Sequence, residues 1–90
     1  MRKLCLLGGE PLHEINVPVV NYIIRNCKQI YHNLEIYLWT GYDFEEIKQR
    51  EDCKYILENI KCIIDGPYIE ELRDTTLPMR GSSNQNVIYV

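Results

Sequence analysis

Three short segments carry the groups best suited to chemistry: Gly8-Gly9-Glu10-Pro11, Thr40-Gly41 and Asp65-Gly66. The first follows directly on the apolar run Leu4-Cys5-Leu6-Leu7. Two glycines let backbone carbonyls and amides approach a ligand closely, because no Cβ stands in the way. Glu10 adds one fixed negative charge, suited to an ammonium group, and Pro11 stops further strand pairing. The same residues also read as an ordinary strand-to-helix turn, since short Gly-rich matches are weakly specific. Thr40 offers a hydroxyl and Asp65 a carboxylate. Asp65 equally reads as a cap on the Gly66-Pro67 turn. An acid–base pair of Glu10 and Asp65 is the weaker reading, because such pairs are rare beside ordinary turn carboxylates.

Other chemistries lack their residues. The four cysteines are Cys5, Cys27, Cys53 and Cys62, and no C-x-x-C or C-x-x-x-C pair occurs. His13 and His32 complete no zinc spacing. Cys5 and Cys62 lie in apolar runs and Cys27 on an apolar helical stripe, so these thiols are expected to be small buried hydrophobes. There is no G-x-S-x-G elbow, no P-loop and no G-x-G-x-x-G fingerprint. A net charge of −3 gives no support for binding nucleic acid or an anionic membrane. No run resembles a membrane span or a secretory leader, so a reducing cytoplasm is the expected compartment.

The elements that must position the three segments follow from periodicity. Ninety residues, 46% of them hydrophobic and 26% charged, suit one folded domain over residues 1–90. Lys3–Leu7 reads as a strand. Asn16 is a plausible N-cap, with Pro18 in the first helical turn. Val20, Ile23, Ile24, Cys27, Ile30 and Tyr31 then recur at helical spacing. Leu34–Trp39 is a strand buried on both faces. Asp43 and Glu46 form a capping box for a second helix, which breaks near Glu51-Asp52 and continues through Cys53, Ile56, Leu57 and Ile60. Lys61–Asp65 is the third strand, and Asn86–Val90 reads as a terminal one. The fold class is therefore α/β, a mainly parallel sheet of about three to four strands in βαβαβ order. In such a sheet all three chemical segments fall at strand C-termini, on the one edge where ligands bind.

Several segments carry a family resemblance. Gly8-Gly9-Glu10-Pro11-Leu12 resembles the GGEPL motif of radical S-adenosylmethionine (SAM) enzymes, and Leu38-Trp39-Thr40-Gly41-Tyr42 resembles that family's strand end with a T-G-Y turn. Ile64–Asp74 and Arg80-Gly81-Ser82-Ser83-Asn84-Gln85 are more specific. Together they resemble the activating enzymes of anaerobic ribonucleotide reductase, over the later part of that family's catalytic domain and without its CxxxCxxC cluster loop.

The resemblance implies part of a radical SAM partial barrel, a truncated domain, with SAM as the cofactor. Gly8, Gly9 and Glu10 would hold the methionine amino group. Thr40 would face the ribose or the methionine carboxylate, and Asp65 the ribose or amine. In the complete family a reduced 4Fe-4S cluster cleaves SAM to a 5′-deoxyadenosyl radical, which takes hydrogen from a glycine of the reductase. No cluster is expected on this chain, so SAM affinity should be weak and radical generation beyond the chain alone. The expected partners are the anaerobic reductase, a cluster-bearing segment, or a second copy pairing at an open Lys3–Leu7 edge. A non-catalytic α/β interaction module and a simple nucleotide-binding domain are the alternatives. Arg80–Gln85 suits either a nucleotide or peptide contact or a self-bonded turn.

Overall fold

The apolar run at the start of the chain forms strand β1 (Lys3–Leu6) in a computed structural model that describes residues 2–90. β1 pairs in parallel with β2 (Glu35–Trp39), with Leu4 opposite Ile36 and Leu6 opposite Leu38. β2 pairs in parallel with β3 (Cys62–Asp65), and β4 (Asn86–Tyr89) closes the far side antiparallel to β3. The sheet order is β1-β2-β3-β4. The expected α/β class and mainly parallel sheet are thus observed. Every residue of β3 is buried, as a central parallel strand requires.

Helix α1 (Val17–Ile30) spans the first crossover and buries Val17, Val20 and Ile24. Its apolar face stops short of the expected length: Ile30 is 70% exposed and Tyr31 lies just past the helix. Asn16 occupies the N-cap position with helical backbone angles and makes no side-chain cap. Its amide is used elsewhere, as described below. Pro18 explains part of this, because it removes one of the N–H donors that a cap would serve.

The second crossover is α2 (Phe44–Lys48), a short 3-10 turn over Glu51–Cys53, and α3 (Lys54–Asn59). The break therefore falls where Glu51-Asp52 placed it. Asp43 caps α2 by accepting from Glu45 N at 3.1 Å. The reciprocal Glu46 bond of a full capping box is not made among the described residues. The main core lies between the helices and one sheet face, with Ile24, Ile36, Leu38, Ile47, Ile56 and Ile63 fully buried. The opposite sheet face carries a smaller cluster of Tyr37, Cys62 and Ile64, packed by Trp39, Met79 and Val87.

β4 covers the β3 side of the sheet, whereas among the described residues β1 pairs only with β2. Lys3 and Cys5 are exposed along β1, and Leu7 just beyond it is 64% exposed. An open apolar edge of this kind pairs readily with another strand. Sedimentation across a wide concentration range is expected to show self-association. A single monomeric species at high concentration would count against a role for this edge in assembly.

Candidate functional site at the strand ends

The chain leaves β1 through three consecutive residues with positive φ: Gly8 at 77°, Gly9 at 40° and Glu10 at 35°. Both glycines are required by backbone conformation and not by crowding, since a Cβ on either would meet nothing within 4 Å. Glu10 has no such freedom, and a non-glycine residue in this region costs about 1–3 kcal/mol. Its side chain offsets that cost. Glu10 Oε2 accepts from Leu12 N at 2.9 Å and from Thr40 Oγ1 at 2.8 Å, and Oε1 accepts from Gly41 N at 2.6 Å. The carboxylate therefore clips the exit of β1 to the exit of β2.

Thr40 is buried and also accepts from Tyr42 N at 3.1 Å. Its one proton is spent on Glu10. Asn16 approaches the loop from the helix side, donating through Nδ2 to Gly9 O and Glu10 O at 3.0 Å each. Leu12 is fully buried beneath the loop, and Arg50 donates to its carbonyl at 2.7 Å. Arg50 also forks onto both oxygens of Asp52, at 3.0 and 2.7 Å, which holds the Asp52 carboxyl below its ordinary value.

Asp65 is buried at the end of β3. Its Oδ2 accepts from Phe44 N at 2.8 Å and its Oδ1 from Asn86 N at 3.3 Å. It starts α2 and ties β4 to β3; it does not cap the Gly66-Pro67 turn. That turn is held instead by the Arg80–Gln85 segment, which is a self-bonded loop. Gln85 accepts from Gly81 N and Ser82 N at 2.9 and 3.2 Å and donates to Gly66 O at 3.0 Å. Asn84 donates to Pro67 O at 2.7 Å, and the buried Ser82 hydroxyl donates to Asn84 at 2.6 Å.

These elements border an open cavity of about 240 Å³ lined by Gly8, Gly9, Glu10, Pro11, Trp39, Thr40, Gly41, Gly66, Tyr68 and Gln85. The three strand exits do come together, and Gly8, Gly9, Glu10 and Thr40 face one space. Asp65 does not line it; the neighbouring Gly66 does. Gln85 lines it as part of the Arg80–Gln85 segment, whereas Tyr68 was missed as a lining residue, because its placement depends on contacts far apart in sequence. A larger cleft of about 400 Å³, lined by His13, Glu14, Tyr42, Glu46, Ile47 and Arg50, lies behind the same loop. It contains none of the strand-end glycines, so close backbone approach to a ligand favours the smaller cavity.

A family model described as a 4Fe-4S single cluster domain matches residues 1–88. The chain belongs to this 4Fe-4S single cluster domain family. The resemblance to activating enzymes is also borne out. The anaerobic ribonucleoside-triphosphate reductase-activating protein of Enterobacteria phage T4 is 40% identical over 97% of this chain and 53% of its own length. The protein of that name from Escherichia coli K12 is 33% identical over 97% of this chain and 55% of its own. The Haemophilus influenzae protein of that name is 37% identical over 91% of this chain and 52% of its own. The chain thus spans about half the length of the curated relatives it matches. No solved structure matches it significantly. No helix among the described residues is long and apolar enough to cross a membrane.

The thiols of this family member do not fit the cluster its family is described by. Cys53 and Cys62 are fully buried, Cys27 is half-buried on α1, and Cys5 is exposed on β1. Burial pushes the Cys53 thiol up to about 11 and raises Cys62 as well, whereas a cluster needs thiolates. Among the described residues, no three His, Cys, Asp or Glu side chains converge on a metal position. Anaerobic reconstitution of this chain with iron and sulfide is therefore expected to give no stable cluster. A stoichiometric cluster by iron analysis and Mössbauer spectroscopy would overturn that reading.

Proposed function

We propose that this chain is the SAM-side part of an activator of anaerobic ribonucleoside-triphosphate reductase, with the strand-end cavity as its cofactor site. The observation that carries the reading is the Glu10 clip, which sets two strand exits around one cavity and leaves acceptors unfilled. Glu10 Oε1 takes one bond, and Gly9 O accepts one from Asn16. Gly8 O takes none from the described residues. An ammonium brings three donors, and charge strengthens each bond it makes. Glu10 O is a poorer acceptor, being already engaged by Asn16 and by His13 N.

Thr40 has no proton to give, but its hydroxyl oxygen keeps one lone pair. It suits a ribose hydroxyl better than a carboxylate. Asp65 supports the site from beneath through α2 and β4. SAM supplies the reactive carbon–sulfur bond, and this chain binds and orients it. The cluster comes from a segment with closely spaced cysteines, so the chain by itself does not generate the radical. The reductase named in its relatives is the partner, and the setting is cytoplasmic.

Calorimetric titration tests the reading. SAM should bind weakly and measurably, and an analogue lacking the amino group should bind less well. No binding of SAM, or equal binding of the deaminated analogue, would remove the support for a SAM-side site.

A further inference from the structure

Tyr68 is half exposed, yet it is held at both ends and on both sides. Its hydroxyl donates to Glu70 at 2.6 Å. A Cβ at Gly81 would stand 2.9 and 3.0 Å from Cδ1 and Cε1 of its ring, so the ring sits where only glycine leaves room. Both chain neighbours of Tyr68 are tied to the same loop: Asn84 donates to Pro67 O at 2.7 Å, and Ile69 N donates to Ser82 Oγ at 3.2 Å. Gln85, which lines the cavity, fixes Gly81 and Gly66 at once. Holding a half-exposed ring still is entropically costly, and nothing in the core gains from it.

Trp39 lines the same cavity, and its indole N–H is spent on Met79 O at 2.8 Å. It offers ring surface without a free donor. Glu10 is the one charged residue among those lining the cavity, and Tyr68 and Trp39 supply its aromatic surface. We infer that Tyr68, seated on Gly81 by the Arg80–Gln85 loop, forms with Trp39 a stacking wall for the purine base of the bound nucleoside. The inference rests on the SAM-side reading and orients the ligand, with its ammonium at Glu10 and its base against the two rings. It also gives Arg80–Gln85 a purpose as the seat of the wall, without direct ligand contact. The cavity is about 240 Å³ and largely open to solvent, smaller than the roughly 300–1,000 Å³ of ordinary ligand sites, so a ligand spanning it is only partly enclosed and binds weakly.

Trp39 is the single tryptophan of the chain, so its fluorescence reports on this wall directly. Titrations of the full chain with SAM, adenosine and methionine are the test. Adenosine should quench Trp39 and compete with SAM, and methionine should not quench. Tyr68→Ala should weaken SAM and adenosine together, by roughly tenfold or more if a full stacking contact is lost. Tyr68→Phe should restore most of that loss. Gly81→Ala should weaken both ligands in the wild-type background and add nothing to Tyr68→Ala, because Gly81 acts through the ring. Circular dichroism and thermal melts confirm that each variant is folded. SAM binding that Tyr68→Ala leaves unchanged overturns the wall while sparing the SAM-side reading. Absence of SAM binding to the wild type overturns both. Equal losses for Tyr68→Phe and Tyr68→Ala overturn stacking, since the hydroxyl would then be the group that matters.

Discussion

Asp65→Ala is expected to lower folding stability by about 2–4 kcal/mol, since each buried polar group left unpaired costs roughly 1–3 kcal/mol. Asp65 is buried and accepts from two backbone amides that belong to different elements, Phe44 N and Asn86 N. Alanine leaves both amides without this partner and opens a small void at the end of β3. A domain of this size is stable by only about 5–15 kcal/mol, so the loss is a large fraction of the total. Asp65→Asn keeps one acceptor and presents an NH2 group to the other amide. It should fall between the wild type and alanine. Urea unfolding measures the three proteins on one scale. An alanine variant within about 0.5 kcal/mol of wild type would behave like an ordinary surface substitution, and the two-amide account would be wrong.

The role of Asp65 shows where sequence reading reached and where it stopped. Its place at a strand C-terminus was legible, because an apolar run ended by Gly66-Pro67 can hardly be read otherwise. Its partners were not. Phe44 precedes it by a whole crossover and Asn86 follows after a long loop, so no local spacing reports either contact. The expected turn cap was the nearest local partner, and tertiary partners won. Asn16 followed the same pattern. An asparagine before Val17-Pro18 carries every local sign of a helix cap. The folded chain sends its amide to Gly9 and Glu10 instead, where the left-handed loop turns two carbonyls toward α1.

The grouping of Gly8, Gly9, Glu10 and Thr40 was legible for a general reason. Alternating strands and helices force parallel pairing, and parallel pairing brings the strand exits to one edge. Topology alone supplied that result, with no distance needed. What topology does not supply is the state of each side chain once there. Thr40 was expected as a polar contact, and the structure shows its proton already committed to Glu10. Gly81 lies in a polar loop whose local sequence names no partner for it. It lies against the ring of Tyr68, a neighbour that contacts distant in sequence, such as the bridge between Arg73 and Ser82, bring near.

Glu10→Gln is expected to behave as a disruptive substitution although it conserves shape. Both carboxylate oxygens of Glu10 act as acceptors, and every group they meet is a donor: Leu12 N, Thr40 Oγ1 and Gly41 N. Glutamine replaces one oxygen by an NH2 group. Placed at Oε1, it opposes Gly41 N; placed at Oε2, it opposes Leu12 N and forces the Thr40 hydroxyl to turn. Neither orientation of the amide satisfies the site. Hydrogen bonds to a charged group contribute about 1.5–3 kcal/mol, so a loss in that range is expected from unfolding curves. The positive φ of Glu10 then has nothing to offset it, and the loop between β1 and α1 should loosen. Hydrogen exchange at Gly41 N reads the clip directly, because that amide donates to Glu10 at 2.6 Å. Its protection should fall in Glu10→Gln and Glu10→Ala alike. Thr40→Val removes one donor and leaves the carboxylate intact, so Gly41 should stay protected there. SAM affinity should fall with Gly41 protection in the two Glu10 variants if the clip creates the site, whereas Thr40→Val should lower it only through the lost ribose contact, with Gly41 still protected. Wild-type stability and Gly41 protection in Glu10→Gln would show that the carboxylate holds nothing in the free chain, leaving any effect on SAM to direct contact alone.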